Sequence, residues 1–196
     1  LLIIVIVLSI RPAFARTVYY DTFNHWAEKD IDFASNTIKV FKGYGDFTFR
    51  PENNITRAEF ITILARTAYR LNQMTEVYTG DLAYNDMSNK HWSYTFIISM
   101  NEYLKTNKFT LKDIFPGSNF YPDRAITREE SAALIAAFCK DAIFDTPLKF
   151  TDISTSNKYY TEIQRLVNAG IIIGYENNTF RGSNNITRAE SASMIK

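Results

Sequence analysis

With 196 residues, the chain is long enough to form one to three small structural units. Its 22 Lys and Arg residues nearly balance its 21 Asp and Glu residues, and a formal net charge of +1 excludes the strong basic field that proteins use to bind nucleic acids or anionic membranes. The 15 Phe, 12 Tyr and 2 Trp residues are enough to build packed cores and to offer flat rings to a ligand.

The chain begins with ten predominantly apolar residues, and residues 13–15 read Ala-Phe-Ala. This small-x-small pattern is typical of signal-peptidase cleavage, so residues 1–15 are predicted to be the end of a secretory signal peptide that is removed after Ala15. A membrane anchor is disfavoured, because ten apolar residues are too few to cross a bilayer. No later segment is long and apolar enough either, so we expect no membrane span after the signal is removed.

Cys139 is the only cysteine, which excludes a disulfide within the chain. Its neighbours at residues 132–138 are almost all apolar, and this predicts a buried thiol in the core.

One set of landmarks occurs three times along the rest of the chain, which is the signature of a repeat architecture. Each copy begins with an aromatic residue two positions before an aspartate and ends with an Ile-Thr-Arg helix start. The aspartate and threonine pairs are Asp21 with Thr56, Asp86 with Thr127, and Asp152 with Thr187. They are 35 residues apart in the first and third copies and 41 apart in the second.

The predicted repeats span residues 16–75, 76–142 and 143–196. Each is predicted to be a helix, a loop and a second helix, because apolar residues recur at helical spacing on both sides of a turn-rich segment. The second repeat is lengthened by six residues. Only nine residues follow Thr187, so the last helix is predicted to be cut short.

The second helix of each copy starts with the sequence of a capping box. A threonine N-cap accepts a hydrogen bond from the third helical residue, and a glutamate at that residue reaches back to the N-cap. The pairs are Thr56 with Glu59, Thr127 with Glu130, and Thr187 with Glu190. Capping does not require the arginine after each threonine, and a cation near this end of a helix is slightly unfavourable. We therefore expect these arginines, Arg57, Arg128 and Arg188, to bind partners outside their own helices.

These landmarks resemble those of the S-layer homology repeat, and the resemblance covers residues 19–196. The first copy carries the whole pattern, which reads Asp21, His25-Trp26, Gly43-Tyr44, Thr48-Phe49-Arg50-Pro51 and Ile55-Thr56-Arg57-Ala58-Glu59. The resemblance implies a mainly α-helical fold of three repeats around a pseudo-threefold axis, with the capped helices forming or flanking a central bundle and grooves between repeats.

The resemblance also implies a function, which is the non-covalent attachment of an exported protein to the bacterial cell envelope. The implied ligand in Gram-positive members is a secondary cell-wall polysaccharide, often with a pyruvate ketal, and some members bind peptidoglycan instead. A pyruvylated sugar needs a cation for its carboxylate and an aromatic face for its ring. An arginine at a helix start with free N–H groups offers the first. The ligand-binding candidates are Arg57, Arg128, Arg188, Tyr44, Tyr175, Trp26, Trp92, Asp21, Asp86, Gly43 and Gly174.

Most of these candidates also have a structural interpretation. Each arginine could pair with an aspartate landmark of a neighbouring copy, which would be Asp21, Asp86 or Asp152. Trp26 and Trp92 could be half-buried anchors of the first helix, and the aspartates could cap a helix or a turn.

The three copies are not equal. The second lacks Gly-Tyr, and the third has residues 157–160, Asn-Lys-Tyr-Tyr, in the region of His-Trp. We therefore expect three unequal grooves, and Arg57 is the first place to look because only its copy keeps every landmark.

Three functions remain open on the sequence: an envelope anchor on the extracellular face, at the cell wall or S-layer; an enzyme; and a protein-binding helical scaffold. An enzyme is disfavoured because the acids in register are explained by capping rather than by a catalytic pair, although a catalytic module could follow residue 196. No catalytic residue and no cofactor are predicted. A metal is not expected either, because the two histidines belong to no cluster with ligand spacing.

Overall fold

The computed structural model describes residues 16–106, 108–139 and 146–196. Within these ranges the regular secondary structure is helical, and strand pairing is confined to three isolated β-bridges. The mainly α-helical class is therefore confirmed. The predicted signal peptide and the predicted boundary at residue 142 lie outside the described residues. The helices are α1 (Glu28–Asp32), α2 (Arg57–Arg70), α3 (Tyr94–Lys105), α4 (Leu111–Ile114), α5 (Arg128–Ala136), α6 (Tyr160–Asn168) and α7 (Arg188–Ile195), and α1 runs into a π-helical turn, Phe33–Thr37.

The threonine and glutamate at the end of each copy form a capping box, and these boxes start α2, α5 and α7. At α2, the Thr56 hydroxyl accepts from the Glu59 N–H at 3.2 Å, and the Glu59 carboxylate accepts from the Thr56 N–H at 3.0 Å. Two further boxes repeat this geometry at Thr127 and Thr187. Each box satisfies two backbone donors around the helix start that would otherwise lack partners.

The three capped helix starts are joined by a closed ring of backbone hydrogen bonds. The Ile55 N–H donates to Ile186, the Ile186 N–H donates to Ile126, and the Ile126 N–H donates to Ile55, at 3.0 to 3.1 Å. All three isoleucines are buried. Because each copy donates to one neighbour and accepts from the other, none of the three segments can leave without breaking two of these bonds.

The same contacts use up the N–H groups at the helix starts. The first N–H of α2, from Arg57, donates to the Arg124 carbonyl at 2.9 Å, and the second, from Ala58, donates to Pro122 at 3.0 Å. The corresponding groups of α5 and α7 donate to residues 182–184 and 51–53. The expectation that free N–H groups would help to bind an anion is therefore wrong, because the turn of the next copy has taken them.

Helix packing follows the same cyclic order. The first helix of each copy packs against the capped helix of the preceding copy, which pairs α3 with α2, α6 with α5, and α1 with α7. Helix α2 also contacts α5 and α7, so the capped helices meet one another near the centre. Phe49, Phe120 and Phe180, which occupy the same register position, are fully buried. Every groove between copies is consequently built from more than one repeat.

The aspartate landmarks hold the turn before each capped helix. The Asp21 carboxylate accepts from the N–H groups of Phe49 and Arg50 at 2.8 and 2.7 Å. Asp86 and Asp152 bind the equivalent pairs at Phe120 and Phe180. In each copy the second donor, such as Arg50, has a positive φ near 57°. The carboxylate thus stabilises a turn conformation that non-glycine residues seldom adopt.

Gly43 and Gly174 are required by close packing. A Cβ on Gly43 would lie 2.1 Å from the Tyr19 ring and 2.5 Å from the Thr48 carbonyl, and one on Gly174 would lie 2.1 Å from Phe150. Gly45, two residues further on, has no atom within 4 Å of its Cβ position. Gly45 is therefore a matched control for a substitution at Gly43.

Replacing Gly43 with alanine should lower the free energy of unfolding by about 1–3 kcal/mol, because the added methyl group overpacks a site closed by backbone. Gly45→Ala should leave it within about 0.5 kcal/mol. Urea unfolding of both variants measures the difference. Equal stability of the two would show that the Tyr19 ring gives way without cost.

Candidate ligand-binding site

A cavity of about 250 Å³ lies where the three copies meet, and we call it the Trp26 groove. Its lining comes from the first copy (Trp26), the second copy (Arg128) and the third copy (residues 171–175 with Glu190, Ser193 and Met194). It therefore brings together five residues that the sequence singled out, which are Trp26, Arg128, Gly174, Tyr175 and Glu190. The other ligand-binding candidates lie outside this cavity, and they are Arg57, Arg188, Tyr44, Trp92, Asp21, Asp86 and Gly43.

Trp26 is the exposed aromatic face of the groove, with 63% of its surface accessible. The residues around it explain this position. The His25 ring accepts from the Ala27 N–H at 3.1 Å, and the His25 carbonyl accepts from Glu28 at 3.0 Å. These bonds form the turn that starts α1 and leave Trp26 pointing outwards. Because the ring is exposed, anchoring the core is not its role.

The same turn recurs in the other copies with different exposed residues. His91 makes it in the second copy, where Trp92 is 57% exposed. In the third copy the Asn157 side chain accepts from the Tyr159 N–H at 2.8 Å and replaces histidine. Lys158 then stands where the other copies have tryptophan. The substitution of His-Trp by Asn-Lys thus keeps the turn and loses the aromatic face.

Tyr175 also lines the groove and is held by charged neighbours. The guanidinium carbons of Arg181 and Arg128 lie 4.0 and 5.1 Å from the centre of its ring. Its hydroxyl donates to a Glu190 carboxylate oxygen at 2.6 Å. Burial, followed by this hydrogen bond, raises the pKa of Tyr175, so the phenol stays neutral. The Tyr44 ring has the corresponding pair of guanidinium neighbours, with Arg50 at 3.8 Å and Arg188 at 5.1 Å from the ring centre.

Arg128 is the cation beneath the groove and is only 8% exposed. One guanidinium nitrogen donates to the Ile173 carbonyl at 2.6 Å, and another lies 3.9 Å from Glu190. Its Nε atom is buried and has no partner among the described residues. Burial is the main reason that the pKa of Arg128 is lowered. Arg128 therefore remains partly unsatisfied at the edge of a cavity.

Arg57 and Arg188 occupy equivalent positions and make closer contacts, although the Nε atom of Arg57, like that of Arg128, is buried without a partner among the described residues. Arg57 donates to the Phe120 carbonyl at 2.8 Å and forms an ion pair with Glu130 at 2.6 Å. Arg188 donates to the carbonyls of Phe49 and Lys42 at 2.8 and 2.9 Å. Each arginine thus reaches from its own copy to the turn of the next one.

These contacts correct the structural alternative drawn from the sequence. The arginines do not pair with the aspartate landmarks, because those carboxylates already bind two backbone N–H groups each. The acids that approach Arg57 and Arg128 are the capping glutamates of the following copies, Glu130 and Glu190. A capping glutamate therefore has two functions, since one oxygen closes the box and the other faces the neighbouring arginine.

Although the first copy keeps every sequence landmark, the residues that surround the Arg57 guanidinium belong to the second copy, which lacks the tyrosine of the Gly-Tyr landmark. Arg57 packs over Phe115 of the second copy, with its guanidinium 4.5 Å from the ring centre. Phe115 stands at the register position of Tyr44 and Tyr175 and has no hydroxyl. The Glu130 oxygen that a tyrosine would bind is instead taken by Arg57.

Five lining residues were missed by the sequence analysis, and they are Ile171, Ile172, Ile173, Ser193 and Met194. The sequence did carry a signal for the isoleucines, because three of them in a row precede Gly174. In an extended segment alternate side chains point to the same side, and the first and third isoleucines are the exposed ones. Ser193 and Met194 carried no such signal, because they lie in a short helix with little amphipathic pattern.

Neither a metal nor a membrane span is indicated in the described ranges. They contain no group of three or more His, Cys, Asp or Glu residues placed to hold a metal ion. No helix within them is long and apolar enough to cross a bilayer. Cys139 is half-buried rather than fully buried as predicted, because its segment ends α5 at the edge of the core, and burial raises the pKa of its thiol.

The model of the S-layer homology domain matches this chain twice, at residues 18–61 and 149–192. The chain belongs to the S-layer homology family. It is 33% identical over 166 residues to cell surface glycoprotein 1 of Acetivibrio thermocellus, which covers 79% of this chain and 7% of that protein. It is 32% identical over 161 residues to the cellulosome-anchoring protein of the same organism, covering 79% of this chain and 34% of the relative.

A third relative is the amylopullulanase of Thermoanaerobacterium thermosulfurigenes, 27% identical over 193 residues, which are 93% of this chain and 10% of the enzyme. The chain thus spans about a third or less of the length of the curated relatives it matches. The family and the surface relatives identify a secreted, cell-envelope-associated protein. The S-layer homology domain is an anchoring module, so the matched residues form an anchoring segment rather than a catalytic domain.

Proposed function

We propose that this chain attaches an exported protein to the bacterial cell envelope by binding secondary cell-wall polysaccharide in the Trp26 groove. The observation that carries the proposal is that three copies each contribute a side chain to one cavity. These side chains are the exposed indole of Trp26, the buried guanidinium of Arg128 with its unpartnered Nε, and the carboxylate of Glu190. The name of the cellulosome-anchoring relative supports attachment as the shared function of this segment.

The lining of the groove suits a sugar ring that carries a carboxylate. The Trp26 face and the exposed side chains of Ile171 and Ile173 offer apolar surface to one side of a ring. Glu190 offers an acceptor for a hydroxyl or an N-acetyl N–H. The Arg128 guanidinium, with Arg181 over the Tyr175 ring, supplies the positive charge that a pyruvate ketal requires. We therefore infer a pyruvylated sugar as the preferred ligand, with peptidoglycan as the alternative.

We also infer that residues 76–142 form a divergent S-layer homology repeat between repeats at residues 16–75 and 143–196. Three contacts of the middle segment support this, because each has a counterpart in the other two copies. Asp86 binds the N–H groups of residues 120 and 121, Thr127 caps α5, and Ile126 belongs to the central hydrogen-bonded ring. The closed cycle of contacts supports the pseudo-threefold arrangement that the resemblance implies.

The proposal is tested by co-sedimentation of the chain with purified cell-wall sacculi. We expect binding to intact walls and its loss after chemical removal of the secondary polymer. Equal binding to intact and stripped walls would point to peptidoglycan instead. A chain that sediments with neither would leave the protein-binding scaffold as the better explanation.

An enzyme remains a candidate for the cargo rather than for this chain. The amylopullulanase relative carries a matching segment as a tenth of its length. We propose on this ground that the anchored cargo is a glycan-active domain in the same polypeptide as the anchoring segment. Hydrolysis assays on the native full-length product test this point separately from wall binding.

A further inference from the structure

A cavity between α2 and the segment before Gly43 carries a basic cluster that has no counterpart in the Trp26 groove. A cavity of about 450 Å³ is lined by Lys39, Lys42, Arg66, Tyr69 and Arg70, with no carboxylate among the described lining residues. Lys42, Arg66 and Arg70 form no ion pair with any described acid. The negative charge of Glu76 contributes to the raised pKa of Tyr69. Glu76 does not line the cavity, however, and its carboxylate accepts a hydrogen bond from the Tyr78 hydroxyl.

The position of Lys42 relates this cluster to the Trp26 groove. Arg128 donates to the carbonyl of Ile173, which lines the Trp26 groove, and Arg188 makes the same bond to the carbonyl of Lys42. Lys42 in the first copy therefore occupies the same repeat position as Ile173 in the third copy. The first copy thus replaces an exposed apolar side chain by a cation at an equivalent place.

Helix α2 supplies the two arginines on the matching face. Arg66 and Arg70 follow Glu59 by seven and eleven residues, which is the spacing of side chains that share one face of a helix. Glu59 is the equivalent of Glu190, which lines the Trp26 groove. At about 1.5 Å per residue, the arginines lie roughly 10 and 16 Å along α2 from Glu59. The Arg66 guanidinium is also held over the Phe96 ring of α3, at 5.0 Å.

The cluster is continuous with the turn that carries Tyr44. A larger cavity of about 760 Å³ is lined by Gly43 and Tyr44 and shares Lys39 and Lys42 with the basic cavity. A chain-like ligand whose end lies beside Tyr44 therefore has a path along Lys42 to Arg66 and Arg70. Guanidinium groups bind carboxylate and phosphate oxygens with paired donors, so the path suits a polymer with repeated anionic groups.

We propose that this basic cavity of the first repeat binds an anionic glycan that extends from the Tyr44 turn, with Lys42, Arg66 and Arg70 contacting a second acidic group beyond the terminal sugar. The shared chemistry is an oxyanion on the polymer, either a uronate-type carboxylate or a phosphodiester. This deepens the proposed wall-binding function and in part rests on it. It assigns the two grooves different tasks, because the Trp26 groove has the tryptophan and isoleucine surface and this groove has the surplus of positive charge.

The test uses a double variant, Arg66→Gln with Arg70→Gln, and a control that removes the same charge from exposed sites, Arg124→Gln with Lys149→Gln. Binding to intact sacculi is measured at about 0.02 M and about 1 M salt, since screening shortens the range of these charges to about 3 Å at the higher value. We expect the double variant to bind at least about fivefold more weakly than the parent at low salt, with a flatter salt dependence, and the control to match the parent.

A second arm is independent of the wall. The Arg66 and Arg70 Nε–H signals are followed by NMR as oligogalacturonate or a glycerol phosphate oligomer is added. Larger shifts with one probe identify a carboxylate or a phosphodiester as the group bound. Shifts with neither probe, or equal wall binding by parent and double variant, would overturn the inference. If the parent binds no wall at all while the signals move, the proposed function fails and the anion site stands.

Discussion

Replacing Arg57 with alanine should lower the free energy of unfolding by about 3–5 kcal/mol and the melting temperature by about 10 °C. The side chain is 8% exposed, and its loss would leave the Glu130 carboxylate, 12% exposed, without its cation. It would also remove the donor to the Phe120 carbonyl at the junction of two copies. Thermal and urea unfolding measure the effect.

A suitable control is Arg124→Ala, because the Arg124 side chain is exposed while its backbone carbonyl still accepts the Arg57 N–H. It should change the free energy of unfolding by no more than about 0.5 kcal/mol. Arg128→Ala should cost less than Arg57→Ala, because its distance to the partner carboxylate is 3.9 Å rather than 2.6 Å. An Arg57→Ala protein as stable as the parent, but unable to bind walls, would contradict the structural role and favour direct ligand contact.

Replacing Trp26 with alanine should weaken binding to intact sacculi by roughly thirtyfold, which corresponds to the loss of about 2 kcal/mol from one central aromatic contact. The ring is 63% exposed, so stability should change by no more than about 0.5 kcal/mol. Co-sedimentation isotherms, together with a melting curve, separate the two effects.

Phe23→Ala is the matched control for this variant. Phe23 lies three residues earlier, is 76% exposed and does not line the Trp26 groove. It should bind walls like the parent. If both variants lose binding equally, the contact surface is the exposed apolar face of the first copy rather than the groove. If neither does, Trp26 is not a ligand contact.

The local part of the fold could be read from the sequence. Thr56 and Glu59 are three residues apart, and a capping box depends on nothing further than that spacing. The aspartate landmarks were found by their constant distance to the capped helix. Their bond to the turn at Phe49 joins residues within one copy, so a repeat alignment already contains it.

The partners of the arginines could not be read in the same way. Arg57 binds Phe120 and Glu130 across a repeat boundary, and Arg188 binds Lys42 from the opposite end of the chain. Which copy follows which around the centre is decided by the backbone ring at Ile55, Ile126 and Ile186, and no single copy encodes that order. The sequence therefore supplied five residues of the Trp26 groove, without showing that three copies share it.

The most direct test of a sugar-binding Trp26 groove uses the two tryptophans of the chain as probes. Their indole N–H signals are resolved by NMR and assigned with a Trp92→Phe variant, and a short pyruvylated cell-wall fragment is then added. We predict that the Trp26 signal shifts and saturates with the fragment, and that the shift is lost when the pyruvate is removed. A Trp26 signal that stays in place while the fragment binds elsewhere on the chain would contradict the account.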